Sequence, residues 1–188
     1  MRKPSAKFEY KTFSLGEKLT EEQKEYFKKY GVIQFKKFIE PETADLFISE
    51  LAKIEKQWLA EGIDKVKGIP LKFGKNIAGE PMIQRMCFTN QYSPVLAELL
   101  KDPRLQLLIE LLAPYEGRIS EDEKDGLVFN HYINQPNSKF SQMGWHTDSP
   151  RDLFLGQKIL PMLNVGIHLD NCPSSNGGLR VLPGTHTQ

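Results

Sequence analysis

Gly144-Trp145-His146-Thr147-Asp148 is the stretch on which the reading of this chain turns. A histidine and an aspartate two residues apart on a strand end point the same way, because strand side chains alternate with period two. An imidazole nitrogen and a carboxylate oxygen can then share one metal ion. The spacing alone carries little: with four histidines in 188 residues, chance supplies about 0.2 such pairs. The chain holds two, His146-Thr147-Asp148 and His168-Leu169-Asp170. Context separates them. His168 lies inside the apolar run Leu163 to Leu169, and Asp170 leads into a Ser-, Asn-, Pro- and Gly-rich stretch of turn composition. His146 instead follows a loop containing Pro136 and Gly144 and precedes Ser149-Pro150, a strand edge beside loops, where catalytic groups gather. His146 and Asp148 are the candidate metal ligands.

Around this pair the texture is that of β-structure. Leu127 to Asn134 is expected as a strand, Leu163 to Leu169 as another, and Leu179 to Leu182 as a third, ended by Pro183-Gly184. Upstream the pattern is helical. Thr20 and Gln23 form a capping box for a short helix that ends near Gly31, and Val32 to Phe35 follows as a short strand. Pro41 suits the first turn of a second helix, on which Phe47, Leu51, Ile54 and Trp58 recur at helical spacing and mark a core face. Gly62 to Pro81 reads as loop with one strand at Ile69 to Phe73. Its Lys65, Lys67, Lys72 and Lys75 either face an anionic ligand or form a solvated surface. Ser93-Pro94 and Asp102-Pro103 announce two more helices, the second with Leu105, Leu108, Ile109 and Leu112 on one side. Helices first and strands afterwards predict an α+β, mainly β fold in which a helical layer packs on a sandwich or barrel.

Composition narrows the function classes. Twenty-five basic against 24 acidic residues give a net charge of +1 and no basic surface that would predict nucleic-acid or membrane binding. Cys87 and Cys172 stand far apart, which predicts reduced thiols in a cytoplasmic protein rather than a disulfide framework or zinc site. No apolar run follows Met1 as in a signal peptide, and none approaches the roughly 20 residues of a membrane span.

Four landmarks together resemble the phytanoyl-CoA dioxygenase family. They are Tyr30-Gly31-Val32-Ile33-Gln34-Phe35, the Gly144 to Asp148 stretch, Leu163-Asn164-Val165-Gly166-Ile167-His168-Leu169-Asp170, and Ser175-Asn176-Gly177-Gly178-Leu179-Arg180-Val181-Leu182-Pro183-Gly184-Thr185-His186. Their order and spacing agree with the family from about residue 20 onward. The resemblance implies a double-stranded β-helix, a cupin-like jelly roll, with the N-terminal helices packed outside. It implies that His146 and Asp148 bind Fe(II), and that 2-oxoglutarate is oxidised to succinate and CO2 while a C–H bond of a small molecule is hydroxylated. Related halogenating enzymes lack the carboxylate, so Asp148 makes hydroxylation the expected outcome.

Other positions carry over from the resemblance as candidate cofactor-binding residues: Asn130, Tyr132 and Asn134 on one strand face, and Asn164 on the next. For the first three the alternative is an outward polar face. Relatives place a co-substrate contact near Gly166, which here has no side chain to offer. His168 then either faces substrate or is a hydrogen-bonded core histidine. By the family pattern His186 closes a turn, and the third iron ligand is expected beyond Gln188 together with the arginine that pairs with 2-oxoglutarate and the closing strands. Residues 1–188 would then form one incomplete oxygenase domain, helical over 1–125 and carrying the first jelly-roll strands over 126–188, and would turn over no 2-oxoglutarate alone. A small-molecule binding protein without redox chemistry is the alternative on the same fold. A cupin-type isomerase would need more histidine ligands than these landmarks supply. The substrate is expected to be a small molecule, acidic if the lysines or Arg151 face it.

Overall fold

Thr20 opens the first helix, α1 (Glu21–Tyr30), through the expected capping box. Its hydroxyl accepts from the Gln23 N–H at 3.2 Å, and the Gln23 side chain accepts from the Thr20 N–H at 2.9 Å. Gly31 ends the helix in the left-handed conformation, φ 69°, with its N–H on the Phe27 carbonyl. In the computed structural model, residues 8–120, 126–132, 144–148, 161–173, 175 and 178–186 are described. Strands β1 (Thr12–Phe13) and β2 (Gln34–Phe35) flank α1 and pair in parallel.

The longest element is α2 (Pro41–Glu61), with proline in its first turn, where no N–H is needed, and Gly62 at its end. Phe47, Leu51, Ile54 and Trp58 are all buried, as their spacing predicts. They form the main core with Val66, Leu71, Ile83, Met86, Cys87, Phe88 and Leu96. Each aliphatic or phenyl side chain so buried contributes about 1.5–3 kcal/mol. Two α2 carboxylates reach across to neighbouring elements: Glu55 accepts the Ile83 N–H at 2.6 Å, and Glu50 accepts the Ser93 hydroxyl at 2.6 Å.

The stretch after α2 is more ordered than its loop-like composition predicts. It forms a hairpin, β3 (Lys65–Val66) with β4 (Ile69–Pro70), turned by Lys67 and Gly68, both at positive φ. Next come β5 (Lys72–Lys75) and β6 (Pro81–Met86), the latter absent from the sequence reading. Strands β5, β6 and β7 (Phe129–Asn130) form an antiparallel sheet in that order. Its register pairs Lys72 with Arg85 but Phe73 with Ile83, which leaves Gln84 as a bulge. Helices α3 (Pro94–Leu99) and α4 (Pro103–Leu108) start at their predicted caps, Ser93 and Asp102. Leu105 and Leu108 join Leu19 in a second apolar cluster.

Several strand expectations need correction. Val32 to Phe35 contracts to β2, Ile69 to Phe73 breaks at Leu71, and among the described residues of Leu127 to Asn134 the strand is β7. Leu163 to Leu169 and Leu179 to Leu182 carry no ladder partner among the described residues. They have strand composition, but a strand exists only when its backbone groups find a partner. Leu163 and Ile167 pack on the second apolar cluster and Leu169 on the main core, while Val165 on the same period-two face is exposed, so the alternation survives in part without the ladder. The fold among the described residues is mixed helix and sheet rather than mainly β, and it shows no closed jelly roll there. No described helix is long and apolar enough to cross a membrane.

Candidate metal centre

Residues 144–148 run as a bent segment with no strand assignment, so His146 and Asp148 do not meet through strand alternation as expected. They converge through the bend and through hydrogen bonds. His146 Nδ1 lies 2.8 Å from the Gly144 carbonyl oxygen. A carbonyl only accepts, so Nδ1 carries the proton and Nε2 is left with its lone pair. Nε2 faces Asp148 Oδ1 at 3.5 Å. The other carboxylate oxygen, Oδ2, accepts from the Asn164 side-chain amide at 2.5 Å.

Each of the two side chains thus has one polar atom engaged by the protein and one turned toward the other. Two lone pairs facing at 3.5 Å repel unless a cation or proton lies between them. Donors on one transition-metal ion, each bonded at about 2.1 Å, stand about 3.0 Å apart at a right angle and about 3.4 Å apart at the tetrahedral angle. The pair is slightly wider than that and half-exposed, at 50% and 52% of the side chains, so solvent and ligands reach it. The donor set, neutral imidazole plus carboxylate, suits Fe(II). The residues present fit a metal as two of its ligands. No group of three metal-binding side chains occurs among the described residues.

The remaining candidates fall into place separately. Asn130 is exposed on β7 and pairs in register with Arg85 of β6. Tyr132 follows two residues on, and partial burial raises its phenol pKa while the Arg85 charge opposes the rise. Arg85 was not singled out in the sequence, because the loop reading stopped at Pro81 and no element was assigned to the residues of β6 after it. The apolar run Met82 to Phe88 around it was the available signal. Asn134 and Arg151 lie outside the described residues. Asn164 contacts Asp148 directly. His168, Asp170 and Arg180 are exposed. Lys65, Lys67, Lys72 and Lys75 are all exposed, with Lys67 Nζ 4.9 Å from the centre of the Phe88 ring. His186 donates through Nε2 to the Lys28 carbonyl at 3.1 Å and so caps α1.

A family model for phytanoyl-CoA dioxygenase matches residues 27–188. The chain belongs to the phytanoyl-CoA dioxygenase family. The match takes in His146, Asp148, Asn164 and the His186 turn. Phytanoyl-CoA dioxygenase family members are in general Fe(II)- and 2-oxoglutarate-dependent oxygenases on a cupin-like jelly roll. No curated protein and no solved structure gives a match.

Proposed function

We propose that this protein is a non-haem Fe(II)- and 2-oxoglutarate-dependent dioxygenase that hydroxylates an unactivated C–H bond of a small molecule. One observation carries the reading: His146 Nε2 and Asp148 Oδ1 converge while their other polar atoms are held by Gly144 and Asn164. Two protein ligands and a third would leave open positions for O2 and the co-acid. Bound Fe(II) would supply the electrons that activate O2, a task no side chain here performs.

The protein's own residues have the remaining work. The Gly144 carbonyl holds His146 in the Nδ1–H tautomer, which keeps Nε2 available as a donor. Asn130, in register with Arg85, and Tyr132 beside it would serve as hydrogen-bonding partners of the co-acid. Asn134 is assigned to the same role. Lys65, Lys67, Lys72 and Lys75 suit an acidic substrate. The closed jelly roll belongs to this proposal, as does the single oxygenase domain, and so does a cytoplasmic setting for a protein with two free thiols.

The balanced reaction takes substrate, O2 and 2-oxoglutarate to hydroxylated substrate, succinate and CO2. One oxygen atom enters the new hydroxyl group and the other the succinate carboxylate. Incubating the full-length protein with Fe(II), 2-oxoglutarate and 18O2 should put one labelled atom into succinate. Unlabelled succinate, or none, overturns the proposal and favours a non-catalytic binding protein.

A further inference from the structure

We propose that Asn164 is a positioning residue for Asp148, occupying Oδ2 so that the carboxylate presents Oδ1 alone to the metal. The inference rests on reading His146 and Asp148 as metal ligands. A free carboxylate has two equivalent oxygens, and either or both can bind a cation. Here they are made inequivalent. Oδ2 takes the Asn164 N–H at 2.5 Å, while Oδ1 faces His146 Nε2. Only the NH2 end of the amide can face a carboxylate oxygen, so the orientation of Asn164 follows from its partner. The bond is charge-assisted and correspondingly strong.

Asn164 is in turn placed from the helical layer. Its neighbour Leu163 and, three residues on, Ile167 pack on the cluster of Leu19, Leu105 and Leu108. In an extended segment that seating turns Asn164 to the opposite, exposed face, where Asp148 lies. Four bodies are thereby linked in order: the apolar cluster, the 163–167 segment, the Asn164 amide and the Asp148 carboxylate. The inferred role acts on Asp148 and is distinct from the co-acid contact that the sequence resemblance implies for Asn164. With one oxygen engaged by Asn164, Asp148 takes a single coordination position and leaves the others open.

The test is Mn(II) binding to the full-length protein, by titration calorimetry, without 2-oxoglutarate. Asn164→Ala and Asn164→Leu, the latter similar in shape but without a donor, should each weaken Mn(II) binding about 10- to 100-fold. Their melting temperatures should stay at the wild-type value, since Asn164 is exposed. In an Asp148→Ala background, Asn164→Ala should weaken binding no further, because its target is gone. Wild-type Mn(II) affinity in both single variants overturns the inference and leaves the metal pair standing. So does an equal loss with and without Asp148. A wild-type protein that binds no Mn(II) overturns the metal pair itself and this inference with it.

Discussion

His186 Nε2 donates a hydrogen bond to the carbonyl of Lys28, a residue 158 positions earlier in the chain. The Gly184 N–H joins it on the Tyr30 carbonyl at 2.7 Å, so the turn after Leu182 caps the C-terminus of α1 from outside the helix. The His186 ring lies where a Cβ on Gly31 would project. Gly31 also has φ 69°. Gly31→Ala therefore meets both left-handed strain and a filled site, and should cost about 1–3 kcal/mol. Thermal or denaturant unfolding would check this; an unchanged midpoint would contradict the packing.

His186→Ala removes one hydrogen bond to a helix carbonyl and should lower stability by about 0.5–1.5 kcal/mol. Its Mn(II) affinity should equal that of wild type, since His186 is committed to α1. A large loss of metal affinity would restore it as a ligand.

Glu50 gives the stability a pH dependence. Lys53 first, and then the Ser93 hydroxyl, hydrogen-bond its carboxylate and hold its pKa below the usual 4.5. A depressed folded-state pKa means that the stabilisation is fully present above about 4.5 and is lost as pH falls through the lower, folded value. Glu50→Gln should flatten the acid limb of a stability–pH curve measured by urea unfolding. The same slope in wild type and variant would show that Glu50 contributes nothing to it.

Arg85 can be tested through Tyr132. Its charge opposes the rise that burial imposes on the phenol pKa. Arg85→Ala should raise that pKa further, measured as a shift in the ultraviolet phenolate titration against a Tyr132→Phe control. A lowered Tyr132 pKa would contradict the register.

What was legible in the sequence was local. The Thr20 capping box, the Ser93 and Asp102 caps and the stripe Phe47–Leu51–Ile54–Trp58 each depend on residues within a turn or two, and all were found where expected. Strand β6 was missed because Met82, Ile83 and Gln84 are all buried, so it lacks the alternation of a half-exposed strand and follows a Gly- and Pro-rich stretch. Leu163 to Leu169 was expected to be a strand because β propensity records side-chain fit, while a ladder needs a neighbour. At the candidate metal centre, residue types and spacing are the same for His146/Asp148 and His168/Asp170, and the surrounding loop and turn residues selected the first pair. The engagement of Asp148 by Asn164 and of His186 by α1 joins distant segments, and no local pattern announces either.

The most direct test of the central claim is succinate release by the full-length protein with Fe(II), 2-oxoglutarate and O2, comparing wild type with His146→Ala and Asp148→Ala. Loss of either ligand should reduce release by about 100-fold or more, the scale on which removal of a metal-centre interaction is felt. Succinate release unchanged in His146→Ala would contradict the account.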